Sequence, residues 1–217
     1  MLCCATGKHA AGVLIGIMDK EANWSRSENR TARIEKTLAN RQPGLVLVLE
    51  NVHDPHNLGA ILRSCDAVGV MRVMMVYYIE SPPEIAKTSA SGALKWLNFE
   101  NFRSIQSCYE TLKKEGFQIL ATKIEPAAKE LYSYDLTVPT AIVLGNEHRG
   151  ISREAADVAD GLIYIPMKGM VESVNVSVAS AICLFETMRQ RASKGMYETP
   201  QLSEEILRSE LQSWVKK

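Results

Sequence analysis

Three short segments of this 217-residue chain gather polar side chains in patterns that could do chemistry. The first, ENVHDPHNLGAILRSCDAVG at 50–69, carries Asn57 and Arg63. The second, IVLGNEHRGIS at 142–152, holds Asn146, Glu147, His148 and Arg149 between Gly145 and Gly150. The third, IPMKGMVESVNVSVAS at 165–180, is kept irregular by Pro166 and Gly169 and carries Ser173 and Asn175. Amide, carboxylate, hydroxyl and guanidinium groups brought together can orient a polar substrate and stabilise negative charge as it develops. Each segment alone also has a plainer reading. Asn57 is a natural N-cap, and Arg63 is the kind of residue that forms a surface ion pair. Ser152 and Ser173 can each cap a helix, with Asn175 in the first turn after Ser173.

The segments matter because of where the flanking elements put them. Apolar, β-branched-rich runs at 45–52, 72–79, 117–124, 140–144 and 162–165 lack alternation, as strands buried on both faces do. Segments of helical period lie between them. Leu58, Ile61, Leu62, Cys65 and Val68 form one stripe over 57–68, leaving Arg63 on the side of Gly59 and Asp66. Ile105, Tyr109 and Leu112 form another. Strand–helix alternation predicts an α/β domain with a mainly parallel sheet and helices on both faces. The three polar segments then fall at strand-to-helix junctions, where open α/β sheets bind ligands. A flanking helix at 30–40 turns Ile34 and Leu38 inward and ends at Gln42-Pro43-Gly44. A helix over 174–191 places Val174, Val178, Ile182 and Phe185 in register and should be deeply buried early and exposed late. A last helix starts near Ser203, with Glu204 and Glu205 in its first turn and lysines at its end, an order that complements the helix dipole.

Composition narrows the class. Apolar residues make up 46% and charged residues 23%, a soluble globular balance. Formal net charge is zero. That argues against coating nucleic acid by bulk charge, though Arg26, Arg30, Arg33, Lys36 and Arg41 form a local basic stretch, which by charge alone reads first as a solvated face. Five cysteines (Cys3, Cys4, Cys65, Cys108 and Cys183) leave one unpaired and lack zinc-site spacing, so reduced thiols in a cytoplasmic protein and no metal are expected. No run reaches the ~20 apolar residues of a membrane span. The run at 10–18 is expected to lie outside the folded unit.

The usual nucleotide signatures are missing. There is no GxGxxG after the first strand and no P-loop, which removes Rossmann dehydrogenases and P-loop kinases. The patterns NxGAIxR, LGNExxGI and IPMxGxxxSxNVSxA, in that order, instead resemble the three ordered motifs of the SPOUT RNA 2′-O-ribose methyltransferases. The resemblance is fullest to the TrmH family within that class, and to its members that act on guanosine 18 of tRNA. It runs from about Arg30 to the C-terminus, through RIEKTLANRQPGLVLVLENVHDPHNLGAILRSCDAVGV, ILATKI, GMVESVNVSVASA and FETMRQRASKGMY. Residues 1–29 form an extension outside it, and 30–217 the methyltransferase domain.

The resemblance implies a C-terminal deep trefoil knot and S-adenosyl-L-methionine as cofactor. Backbone around Thr122, Gly145, Ile165 and Val174 would hold it, with Leu144 and Met167 as apolar walls. Arg63 matches the catalytic arginine. A guanidinium normally stays protonated, so stabilising an alkoxide suits it better than acting as a base. Asn57 and Glu147 would hold Arg63, while Ser173 and Asn175 would position RNA or the arginine. A homodimer is implied, with each site at the subunit interface and the motif-three helix facing the partner. Arg30, Arg33 and Arg41 would hold tRNA phosphates, joined by Arg189, Arg191, Lys194 and the terminal lysines. Two positions depart from the family pattern: Asp54 stands where lysine is usual and Glu172 where glutamine is usual, both adding negative charge near an RNA cleft. Alternatives are a ribosomal RNA ribose methyltransferase, which often carries a further N-terminal RNA-binding domain, and a non-catalytic RNA-binding relative.

Overall fold

The computed structural model describes residues 26–79, 81–83 and 92–217, with side chains from residue 29 onward. The expectations for residues 1–25 and for the Arg26 side chain lie outside the described residues. The elements, in order, are α1 (Arg26–Ala39), β1 (Leu45–Glu50), α2 (Pro55–Val68), β2 (Arg72–Val76), β3 (Asn98–Phe102), α3 (Ile105–Lys114), β4 (Gln118–Thr122), β5 (Lys129–Glu130), β6 (Thr140–Leu144), α4 (Arg153–Val158), β7 (Gly161–Tyr164), α5 (Val176–Ser193) and α6 (Glu204–Val215).

The strands pair in parallel as one seven-stranded sheet, in the order β3-β2-β1-β6-β4-β7-β5. All six residues of β1 are buried, as its unbroken apolar run predicts. Alternate side chains feed two cores. Leu45, Leu47 and Leu49 pack with Leu58, Ile61 and Leu62 of α2 and with Cys183 and Leu184 of α5. Val46 and Val48 pack with Ile105, Tyr109 and Leu112 of α3 and Ala155 of α4. Each such side chain, fully buried, contributes about 1.5–3 kcal/mol before entropy. Because the pleat repeats every two residues, a one-residue slip of β1 would exchange the sets facing the two cores.

β3 was not expected from the sequence. Its NFENF run is half polar because it is an edge strand with an exposed side. Arg72, at the start of β2, secures it through Glu100 and also binds Glu115. The turn from α2 into β2 depends on Gly69, which is left-handed at φ 87°. A Cβ there would sit 2.4 Å from the Asn40 carbonyl oxygen.

Several sequence expectations need correction. Arg41 is fully buried, not presented to phosphates. It bonds Asp66 at 2.5 Å and the Val70 carbonyl at 2.7 Å, and lies 5.1 Å from the Trp214 ring centre. It therefore pins the small core of Ile34, Leu38 and Trp214 that joins α1 to α6. Arg191 is likewise buried, donating to the carbonyls of Leu136, Gly44 and Val138 and to Gln42. Burial holds its pKa below the ordinary arginine value. α5 keeps only Ile182 of the expected 174/178/182/185 register against the core, and its buried residues run from Ser180 to Arg191 rather than gathering at its start, as was expected. Ser180, Cys183, Leu184, Thr187 and Arg191 face inward, whereas Val178 and Phe185 are exposed. The apolar residues on both sides of this helix made the inward face ambiguous.

Candidate active site

Parallel strands place their carboxyl ends on one edge, and the polar segments follow from that edge. β1 ends at Glu50 and Asn51 follows it. The Glu50 carboxylate is buried and accepts from the Tyr78 hydroxyl at 2.5 Å and the Ser152 amide at 2.9 Å. Asn51 is left-handed at φ 51°, a conformation asparagine tolerates. Its side chain accepts from the amides of Tyr78 and Ile79, and its carbonyl accepts from Asn146 Nδ2 at 2.8 Å. This dipeptide ties the exits of β1, β2 and β6 together. The sequence singled out Asn146 in its polar loop but not Glu50 or Asn51; a charged or amide residue closing a buried apolar strand was the signal available.

The loop after β6 is closed by paired backbone hydrogen bonds between Asn146 and Gly150. Gly145 is required here, since a Cβ would come within 2.1 Å of the Gly150 backbone. Asn146 Oδ1 accepts from the amides of His148 and Arg149, which fixes the loop and presents Glu147. Glu147 accepts from the His53 amide on one oxygen, and from the Asp54 amide and Asn57 Nδ2 on the other, each at 3.1 Å. Asn175 Nδ2 donates to Asn57 Oδ1 at 3.0 Å. Glu147, Asn57 and Asn175, far apart in the chain, thus form one hydrogen-bonded relay. Partial burial pushes the Glu147 carboxyl up. Hydrogen bonds from its own backbone, His53, Asn57 and Asp54 outweigh that, leaving it below the ordinary carboxylate value.

The caps differ from expectation by a few residues. Asp54, not Asn57, caps α2: its Oδ1 accepts from the amides of His56 and Asn57, with Pro55 first in the helix. The acidic departure at position 54 thus has a structural use. Asn175, not Ser173, caps α5, with Oδ1 accepting from Ser177 N at 2.8 Å. One asparagine therefore both starts the helix and reaches Asn57.

A cleft of about 460 Å³ opens beside this relay. All six residues expected to hold a cofactor line it: Thr122, Leu144, Gly145, Ile165, Met167 and Val174. Glu147 and Ser173 line it too. Ligand clefts commonly span about 300–1,000 Å³ with apolar walls and few polar groups. Strand ends and the first turn of α5 supply such a lining, so the residues present fit a nucleoside-sized cofactor. Burial pushes the Cys183 thiol, on the cleft wall, up to about 12, so it stays protonated and serves as packing. Among the described residues no group of three His, Cys, Asp or Glu side chains is placed to hold a metal. Among them, too, no helix is long and apolar enough to cross a membrane.

Arg63 stands apart. It is exposed on α2 and lines a separate groove with Ala60, Ser64, Ala67, Ala93 and Phe185. Six residues beyond Asn57 is about 9 Å along the helix and about 120° around it. Asn57 bonds both Glu147 and Asn175, where the resemblance implied that Asn57 and Glu147 hold Arg63. Arg30 donates to the Val215 carbonyl at 2.9 Å, and Arg33 is exposed.

Comparison with known proteins agrees with this geometry. A tRNA (guanosine(18)-2'-O)-methyltransferase of Thermus thermophilus is 45% identical over 192 residues, covering 88% of this chain and 98% of that one. The crystal structure of an A. aeolicus TrmH/SpoU tRNA modifying enzyme superposes with a TM-score of 0.82 at 39% identity, covering 88% of this chain and 96% of the other. An AdoMet-bound rRNA methyltransferase from Sinorhizobium meliloti superposes at 0.62 with 25% identity, covering 71% and 59%. Residues 44–185, which contain β1 through most of α5, match the SpoU rRNA Methylase family, and the chain is a methyltransferase belonging to that family.

Proposed function

We propose that this chain transfers a methyl group from S-adenosyl-L-methionine to the 2′-hydroxyl of a tRNA ribose, at guanosine 18. The observation that carries the reading is the hydrogen-bonded meeting of three separated segments, through Asn57, Glu147 and Asn175, beside a cleft at the carboxyl edge of the sheet that the second and third segments line. The tRNA assignment rests on the T. thermophilus relative, matched along 98% of its length, against 59% coverage of the ribosomal RNA enzyme from S. meliloti.

When bound, the cofactor supplies an electrophilic sulfonium methyl. The chain's own groups do the rest. The backbone at Thr122, Gly145, Ile165 and Val174 holds it, and Leu144 and Met167 exclude water. Ser173 and Asn175, at the start of α5, orient the ribose-phosphate, helped by the positive end of that helix. Brought to the partner's cleft across a subunit seam, the Arg63 guanidinium stabilises charge growing on O2′. The ribose proton leaves to solvent or to an RNA phosphate.

The same reading includes a homodimer, a knotted C-terminal half and a cytoplasmic location. Support for the dimer is the outward side of α5, where Val178 and Phe185 are 47% and 45% exposed, next to the Arg63 groove. Covering that side with a second copy would bury those side chains and put Arg63 at the seam between subunits. Arg30, Arg33, Arg189, Lys194 and Lys216 would meet tRNA phosphates, so binding should weaken as salt rises.

The test is incubation with radiolabelled cofactor and transcripts of tRNA and ribosomal RNA, followed by nucleoside mapping. Label on the ribose of a D-loop guanosine of tRNA is expected. Label only on ribosomal RNA would replace the substrate, and no label on either would remove the activity.

A further inference from the structure

Tyr78 is an aromatic residue held rigid but left open to solvent, and the reaction described so far does not use it. It follows β2, on the carboxyl edge that also carries Asn57 and Glu147. Its hydroxyl is anchored on the buried Glu50 carboxylate at 2.5 Å. Its amide is anchored on Asn51 Oδ1 at 3.2 Å. Both ends of the residue are therefore fixed, yet it is 41% exposed, and Ile79 beside it is 62% exposed. Burial, then the Glu50 carboxylate, raise the phenol's pKa, so it remains a hydrogen-bond donor at working pH.

The anchors are shared with the reaction loop. Glu50 also accepts from Ser152, and Asn51 also accepts from Asn146. The position of Tyr78 is thus set by the two residues that set the loop carrying Glu147. An exposed aromatic normally gains from being free to choose rotamers; this one has already given up that entropy. Pre-ordered aromatic faces are what proteins offer to unstacked nucleobases, because ordering a free ring on binding offsets part of the stacking energy.

We propose that Tyr78 is an RNA-binding residue, stacking on an unstacked base of the RNA near the nucleotide that is methylated. This rests on the reading of the substrate as tRNA. The ring contributes apolar area to RNA binding without touching phosphate. It leaves the cofactor cleft alone, since Tyr78 does not line it.

The experiment compares Tyr78→Ala and Tyr78→Phe with the wild-type full chain, measuring KM and Kd for tRNA, cofactor Kd by calorimetry, melting temperature and oligomeric state by light scattering. In Tyr78→Ala, KM and Kd for tRNA should rise roughly tenfold, as expected for one lost base–aromatic stack. Cofactor Kd and oligomeric state should not change, and the slope of log Kd against log salt should stay the same. Tyr78→Phe should recover most of the loss. Unchanged tRNA binding in Tyr78→Ala overturns the proposal, and so does a change in oligomeric state. Phe as impaired as Ala, with both melting lower, shows that Tyr78 only braces Glu50 and overturns it as well. If wild type binds ribosomal RNA rather than tRNA, the substrate reading fails, and the Tyr78 comparison is read on that RNA.

Discussion

Glu147→Gln separates the structural and chemical roles of the relay. In the wild type, the His53 amide meets one carboxylate oxygen, and the Asp54 amide and Asn57 Nδ2 meet the other. Glutamine keeps one acceptor oxygen, and its NH2 group must face at least one of those donors. Hydrogen bonds to a charged group contribute about 1.5–3 kcal/mol each. Glu147 is only partly buried, and solvent screening brings the expected loss at pH 7 to about 1–2 kcal/mol in total. The sign with pH follows from the lowered pKa. Its contribution is fully present above the ordinary value of 4.5 and is lost as pH falls through the lower folded value. Urea unfolding followed by tryptophan fluorescence should show a gap between wild type and variant at pH 7 that closes steadily below about pH 4. Turnover at pH 7 should drop by about a hundredfold, more than the stability loss explains. A stability gap that stays constant, or widens, on acidification refutes the account of Glu147 as a hydrogen-bonded carboxylate.

Arg63→Ala should lower methyl transfer by about a hundredfold or more while cofactor binding by calorimetry is retained; full activity removes Arg63 from the mechanism. Asn175→Asp keeps an oxygen to cap α5 but cannot donate to Asn57, so melting temperature should hold while turnover falls. Asn175→Ala should lose about 1 kcal/mol of stability as well. Arg41→Ala should destabilise the fold by about 2 kcal/mol, since it removes a fully buried guanidinium from the half-buried Asp66 and from the Val70 carbonyl, and leave the salt dependence of RNA binding unchanged. A lower salt slope with normal stability would return Arg41 to the RNA interface.

The parallel α/β core was legible because β1, β6 and α2 obey one rule each: an unbroken apolar run for doubly covered strands, and a 3.6-residue stripe for a helix with one buried side. β3 was not, because an edge strand need not be apolar. Most of the candidate cleft was implied by the family resemblance rather than by residue pattern, and Thr122, Leu144, Gly145, Ile165, Met167 and Val174 do line it together. The finer assignments failed where two uses compete for one side chain. Asn57 looked like a cap, but Asp54 three residues earlier caps with Pro55 already in the helix. Arg41 and Arg191 looked like surface cations because charge in a sequence says nothing about which carbonyls await it inside. Glu50 and Asn51 join three strand exits that meet only once the sheet has formed.

The central claim is that the cleft and the Asn57–Glu147–Asn175 relay serve transfer to a ribose oxygen. The most direct measurement uses tRNA carrying 2′-deoxyguanosine at the target position, with labelled S-adenosyl-L-methionine and the all-ribose transcript as control. Transfer to the control and none to the deoxy tRNA is the predicted result. Equal labelling of both would place the methyl group on a base and contradict the account.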